Sequence, residues 1–347
     1  MADPALQRLL LKQALSLPTP ILRGITGGGV VYRGGRTLDP HLQFLAYAAR
    51  REPPLSTLTP EEARLAAAER RAVTAGRAEP DVTVETLTID GPRGPIPARL
   101  YKPPVQDHAL PVMAYFHPGG GVVGDLDAAH AFCSILAKTA QLPVVSADYA
   151  KAPEHRFPAG LEDALAAYRW TRDNAARFGA PEGMAAVGGE ALGAAFAAAV
   201  AQACKAAGEP QPALQLLVCP VVDMAGESAS TALYADAWPL SRATLQWSVG
   251  HYLKPEDDPA DPRLSPIRSP DLTGLAPAVV ATAGFDPLLD QGEAYARALA
   301  AAGVRVTYRS YDNLAHGFPG FMGLVPAAAE AAREIAGLVW ETLAGVA

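Results

Sequence analysis

The sequence predicts an α/β fold, a mostly parallel central sheet covered by helices on both faces and topped by a helical cap. Three observations predict it. From Pro111 onward, short unbroken apolar runs alternate with longer helical segments, the pattern of βαβ units whose strands are buried on both faces. Just upstream, residues 82–101 alternate apolar side chains with Thr and Glu around a Gly- and Pro-containing turn, as an antiparallel edge hairpin does. Residues 1–80 read as helical cap material and 81–347 as the main domain, with 222–275 contributing a lid segment.

Taken in order, Leu6, Leu9, Leu10 and Leu15 share one face of a helix over 5–16, which is expected to pack on the body. Residues 17–37, rich in Gly and Pro, read as a mobile connection without a fold of their own. Asp39 opens a second helix carrying Leu42, Phe44, Leu45 and Tyr47. Thr59-Pro60-Glu61-Glu62 combines an N-cap, a proline at the first helical position and an acid three residues after the cap, so it starts a helix to about Thr74. Buried strands are expected at 112–116, 144–147, 184–187, 214–219 and 279–283, with a final strand at 304–311. Helices are expected at 127–140, 161–178, 191–207, 291–302 and 327–343. Between Val222 and Leu275 no strand pattern appears. Trp238, Trp247, His251 and Tyr252 in that stretch either line a substrate pocket or pack a lid.

Half of the 347 residues are hydrophobic and 19% are charged, so a large core is available. A net charge of −7 argues against nucleic acid and against anionic membrane surfaces as partners. The apolar run 191–201 is too short to span a bilayer, so no stable membrane insertion is expected. Cys133, Cys204 and Cys219 are odd in number and widely spaced, which fits reduced thiols in a cytoplasmic protein. The seven histidines include no His-x-x-x-His spacing, and no metal or other cofactor is predicted. The amino terminus lacks a basic segment followed by an apolar core, so no signal peptide is predicted.

The chain is organised around Val187-Gly-Gly-Glu-Ala-Leu-Gly-Ala194, an apolar strand end running into an Ala-rich helix. Its Gly-x-?-x-Gly form is that of an elbow that presents a nucleophile, and the nucleophile position is Ala191. Acyl transfer at such a site needs a histidine base, a carboxylate to orient it, and backbone donors for the oxyanion. Asp286 follows the 279–283 strand immediately. With Pro287 behind it, it could orient a base or cap a helix; nearby Asp290 sits where a cap is wanted. His316 lies thirty residues further on, past one helix and one strand, in the order nucleophile, acid, base. The glycines of Tyr115-Phe-His-Pro-Gly-Gly-Gly121 end a strand and let backbone N–H groups approach a ligand. Pro118 has no N–H, but Gly119 and Gly120 do.

These stretches, with Asp148-Tyr-Ala-Lys-Ala-Pro-Glu-His-Arg-Phe-Pro158, resemble the bacterial hormone-sensitive-lipase-like family of carboxylesterases. The resemblance runs from about residue 82 to the carboxyl terminus. It implies an α/β-hydrolase fold with a helical cap and hydrolysis of short- to medium-chain acyl esters without metal or organic cofactor. It assigns Asp286 and His316 to a catalytic triad and the N–H groups of Gly119, Gly120 and Leu192 to the oxyanion hole. His117, Asp148 and Glu154 are read as holding the oxyanion loop. A homodimer through the last strand and helix is implied by the resemblance alone.

Four residues depart from the family pattern. Pro118 stands for the first glycine of His-Gly-Gly-Gly, and Leu192 and Ala194 stand for Ala and Gly in the elbow. Gly121 stands for an aromatic residue, implying a wider pocket whose walls would include Trp238, Trp247, Tyr252 and Phe318. Ala191 stands for the serine. Loss of a triad serine costs on the order of 10⁶ in turnover, so the chain as written is expected to be nearly inert. It reads either as an esterase with its serine exchanged for alanine or as a pseudo-hydrolase that binds or senses a small molecule. The first reading is preferred, because acid, base and oxyanion loop are all kept in register.

Overall fold

The helix starts written into the amino-terminal sequence are each taken up in the computed structural model, which describes residues 3–345. Residues 1, 2, 346 and 347, the outermost positions of the two predicted domains and the start of the predicted leaderless amino terminus, lie outside the described residues. Helix α1 is Pro4–Leu15, with the Asp3 side chain accepting the Ala5 N–H. Helix α2 is Thr19–Ile25, followed by the two-residue strands β1 (Tyr32–Arg33) and β2 (Arg36–Thr37). Asp39 caps α3 (Pro40–Ala49) by accepting the N–H groups of His41 and Leu42. Helix α4 (Pro60–Thr74) opens with the predicted capping box: Thr59 N–H donates to Glu62, and Glu62 N–H donates to Thr59 Oγ1.

Two expectations for this region are corrected. The 17–37 stretch is not structureless, because α2 and the β1–β2 hairpin occupy it. Pro20 falls in the first turn of α2, where a missing N–H costs nothing, and Leu22 is buried as the anchor of the helix. Gly34 and Gly35 both adopt positive φ (58° and 77°), which a two-residue hairpin turn requires. Secondly, Leu15 does not share a face with Leu6, Leu9 and Leu10: nine residues beyond Leu6, it lies about half a turn round the helix, on the opposite side. Leu15 points inward, but Leu6, Leu9 and Leu10 are 50%, 53% and 56% exposed. What ties α1 down is Leu15 together with Arg8, whose guanidinium donates to the Ala75 carbonyl at the end of α4 (2.7 Å).

The main sheet begins with the predicted hairpin, β3 (Thr83–Gly91) and β4 (Gly94–Lys102). The alternation of β5 (Val112–Phe116), α5 (His130–Ala140), β6 (Val144–Ala147), α6 (Ala159–Asp173), β7 (Ala185–Glu190), α7 (Leu192–Ala207) and β8 (Gln215–Val218) follows. After β8 the chain leaves the sheet for α8 (Ala229–Leu233) and α9 (Arg242–Tyr252). It returns with β9 (Ala278–Phe285), α10 (Leu289–Ala301), β10 (Val306–Ala315) and α11 (Pro326–Ala344).

Among the described residues this sheet has eight strands, in the order β10-β9-β8-β7-β5-β6-β4-β3. Strands β5 to β10 pair in parallel, while β4 pairs antiparallel with both β3 and β6. Helices α6, α7 and α10 cover one face; α5, α11 and cap residues such as Leu42 and Leu45 cover the other. Every residue of β5, β6, β7, β8 and β9 is buried, which is why these strands read as unbroken apolar runs. Each buried Leu or Val contributes about 1.5–3 kcal/mol. No helix among the described residues is long and apolar enough to cross a membrane.

Candidate active site

The turn from β7 to α7 holds Ala191 at φ 54°, ψ −116°, a left-handed backbone that puts its Cβ at the carboxyl edge of the sheet. The turn is this tight because the flanking glycines remove side chains that could not fit. A Cβ on Gly189 would lie 2.2 Å from the Gly193 carbonyl oxygen, and one on Gly193 would lie 2.1 Å from the Phe116 oxygen. The Ala191 N–H donates to Val218 (2.9 Å), and its carbonyl accepts from Val221 (3.2 Å), so both sides of the elbow are fixed.

Asp286 and His316 come from the ends of β9 and β10 and meet beside this turn. His316 Nδ1 lies 2.7 Å from Asp286 Oδ2, with both residues buried. The other carboxylate oxygen of Asp286 accepts the Leu288 N–H at 2.8 Å, so one side chain both fixes the turn leading into α10 and holds the histidine. Asp290 does not cap that helix. Its carboxylate accepts the Ser230 N–H at the start of α8 instead (2.7 Å). Burial depresses the His316 pKa, but the adjacent Asp286 charge and hydrogen bond outweigh it, and the imidazole sits above its ordinary value. Since Nδ1 serves Asp286, Nε2 is the nitrogen left for a reacting partner.

Glu190 precedes Ala191 and also borders the cavity. Burial pushes its carboxyl up to about 7, with the nearby His316 pulling it down and Asp286 pushing it further up. Cys219 is the third group near the pair: its sulfur lies within 4.8 Å of Asp286 and His316 ligand atoms. Burial pushes its thiol well up, so it stays protonated, and the Asp286–His316 hydrogen bond already occupies the other two groups. Such a donor set fits an acid–base pair better than a cation. All three cysteines are free and buried.

The loop 117–124 is braced from several sides. His117 bonds Asp148 through Nε2 (3.2 Å) and the Pro118 carbonyl through Nδ1 (2.8 Å), and its ring stacks on Tyr149 at 4.2 Å. The Tyr149 hydroxyl donates to the His117 carbonyl at 2.8 Å. Arg64 of α4 is a brace the sequence reading missed. It donates to the carbonyls of Val122 (2.9 Å) and Ala152 (2.8 Å) and pairs with Glu154. Only the last of these is a charge pair that sequence could hint at, and the two residues are ninety positions apart. Among the described residues, the N–H groups of Gly119, Gly120 and Leu192 have no acceptor within the protein. Leu192 opens α7, where helical N–H groups are left free. All three residues line one cavity with Ala191 and His316.

That cavity has a volume of about 260 Å³ and is mostly apolar. Of the predicted wall residues, only Tyr252 lines it. Gly121 does not open extra room: a Cβ there would lie 2.7 Å from the Tyr252 ring and 2.8 Å from Leu192, so Tyr252 fills that space from α9. Trp247 turns away, donating its Nε1–H to the Leu58 carbonyl (3.1 Å). Trp238 packs against Phe321 outside the cavity, the rings tilted at 50° with centroids 5.0 Å apart. Phe318 is fully buried against Tyr311. The walls come instead from Leu55, Ala67, Thr74, Met224, Leu245 and Phe321, among others. Nothing local marks these residues; they converge only through the fold.

The α/β-hydrolase-fold family matches residues 113–320 of the chain. The chain is 40% identical to carboxylic ester hydrolase LipN of Mycobacterium tuberculosis, over 87% of this chain and 82% of LipN. It is 43% identical to esterase LipI of the same organism, over 73% of this chain and 80% of LipI. Among solved structures, a serine-to-alanine mutant of LAE6, an α/β-hydrolase enzyme from the metagenome of Lake Arreo, matches with a TM-score of 0.83 at 39% identity, covering 87% of this chain and 96% of that one. The chain belongs to the α/β-hydrolase fold family, among its hormone-sensitive-lipase-like carboxylesterases.

Proposed function

We propose that this chain is a serine carboxylesterase of short- to medium-chain acyl esters in which alanine occupies the nucleophile position. The observation that carries the reading is His316, held 2.7 Å from the buried Asp286 and lining the same cavity as Ala191 and three unengaged N–H groups. With a serine hydroxyl at 191, His316 Nε2 takes its proton as the oxygen attacks the ester carbonyl, while Asp286 holds the imidazolium that forms. Gly119, Gly120 and Leu192 donate to the oxyanion, which is stronger there than in the ground-state carbonyl. His316 then returns its proton to the departing alcohol, and water repeats the sequence to release the acid.

A cavity of about 260 Å³ lies at or below the usual range for ligand pockets, ~300–1,000 Å³, which supports small acyl groups. Helices α1 to α4 are assigned to the cap and the 222–275 segment to the lid, since α4 and α9 both contribute cavity walls. Three free cysteines support a cytoplasmic setting. A homodimer along β10, an edge strand of the sheet, completes the reading. The experiment is hydrolysis of a nitrophenyl ester series by the Ala191→Ser variant. Activity that falls away as the acyl chain lengthens supports the assignment. A well-folded variant that binds an ester without turning it over would favour a sensor.

A further inference from the structure

The cap exposes an apolar face that the catalytic reading does not use. Among the described residues, eight of the fourteen exposed large hydrophobic side chains fall between residues 6 and 32. Six of these, Leu6, Leu9, Leu10, Leu17, Ile21 and Ile25, belong to α1, α2 and the turn joining them. In α1 the spacing of Leu6, Leu9 and Leu10, continued by Leu17, is that of one helical stripe. The inward side is already satisfied by Leu15 and Leu22, so the outer stripe is surplus to the packing of the cap. A soluble surface rarely concentrates aliphatic side chains this way without an occupant.

Charge identifies the occupant. Residues 3–32 contain one acid, Asp3, against Arg8, Lys12 and Arg23, on a chain whose net charge is −7. Among the described residues, none of these three cations has a carboxylate within salt-bridge distance; Arg8 bonds only a carbonyl. Whole-chain charge argues against anionic surfaces, but fields in salt fade within ~8–10 Å, so the facing segment decides. An apolar stripe on a segment of net positive charge, with Lys12 exposed on the same helix and Arg8 turned to the Ala75 carbonyl, matches the boundary between acyl chains and anionic headgroups. The face also adjoins the candidate site. Gln7, Leu10 and Leu11 border a groove whose other wall includes Arg70 and Thr74, and those two residues line the catalytic cavity as well.

We propose that α1 and α2 dock this chain onto an anionic lipid surface, seating Leu6, Leu9, Leu10, Leu17, Ile21 and Ile25 at the headgroup boundary. The contact is peripheral, and it stands whether or not position 191 carries a nucleophile. The test is co-sedimentation of the chain with vesicles of equal parts phosphatidylcholine and phosphatidylglycerol, against vesicles of phosphatidylcholine alone. The mixed vesicles are expected to bind at least about tenfold more protein, with the difference shrinking as salt is raised. Leu6→Ser/Leu9→Ser/Leu10→Ser lowers binding at least about tenfold, and Lys12→Glu lowers it several-fold, both with an unchanged melting temperature because these side chains are exposed. A Leu9→Trp variant reports the contact directly, through a blue-shifted emission on the mixed vesicles alone. Absence of binding to the mixed vesicles, or binding unaffected by the triple leucine variant, overturns the proposal. So does a solution dimer that the triple variant converts to monomer, since a second copy would then cover the face.

Discussion

Asp286 divides its carboxylate between two partners, accepting the Leu288 N–H at 2.8 Å through one oxygen and lying 2.7 Å from His316 Nδ1 through the other. The start of α10 therefore sets the angle at which the acid meets the base. In an Ala191→Ser background, Asp286→Asn is expected to lower kcat on the order of 10⁴-fold. It also removes the charge that holds the His316 pKa above its ordinary 6.5. The base must be neutral, so the Ala191→Ser enzyme loses activity as pH falls through a value above 6.5, and with Asp286→Asn added that limb moves to lower pH. A pH–rate profile checks both effects.

Glu190 gives a stability prediction that needs no catalysis. Its folded pKa, about 7, lies above the ordinary 4.5, so the folded state binds more protons between these values and loses stability as pH rises through them. Glu190→Gln cannot ionise and escapes this loss. Its melting temperature relative to the parent should rise from pH 5 to pH 8, by an amount equivalent to roughly 2–4 kcal/mol. Equal pH dependence in the two proteins would show that the carboxyl is not held neutral.

Tyr252 fills the space beside Gly121, and its hydroxyl is buried without a partner. Tyr252→Phe removes an unsatisfied polar group and is expected to stabilise the fold by about 1–2 kcal/mol in a denaturant titration. Tyr252→Ala should destabilise it by ~3–5 kcal/mol and enlarge the cavity. In the Ala191→Ser background, the enlarged cavity should move the preferred acyl chain to longer esters.

Arg64 ties α4 to the oxyanion loop through the carbonyls of Val122 and Ala152. With Ala191→Ser in place, Arg64→Ala is expected to lower kcat about 10- to 100-fold, with a smaller change in KM, because the loop donors lose their placement. Its partner Glu154 has a pKa of about 2, held down by the guanidinium hydrogen bond. The pair's contribution to stability is thus full above 4.5 and lost as pH falls towards 2, so the melting-temperature gap between Arg64→Ala and the parent should narrow in acid, leaving the part that comes from the Val122 and Ala152 carbonyl bonds.

Much of this was legible in the sequence where a local pattern carries its own physics. The capping box at Thr59, the edge hairpin and the unbroken apolar strands each depend on neighbours a few residues apart. Asp286 and His316 were legible for a similar reason: each follows a strand end, and chain order does the rest. The cavity walls were not. Trp238 and Trp247 looked like pocket residues by composition, but one packs against Phe321 and the other is drawn away by the Leu58 carbonyl. The α1 leucines were grouped on one face, but Leu15 lies opposite Leu6, Leu9 and Leu10, and Gly and Pro content hid α2, whose cap and first turn hold Pro18 and Pro20 where a helix tolerates them.

The central claim is that everything for acyl transfer except one oxygen is in place around Ala191. Steady-state hydrolysis of nitrophenyl acetate and butyrate by Ala191→Ser, beside the parent and Ala191→Ser/His316→Ala, tests it most directly. The single variant is expected to exceed the parent by about 10⁶-fold in kcat, and the double variant to fall back to the parent's level. A folded single variant that stays at the parent's rate would contradict the account.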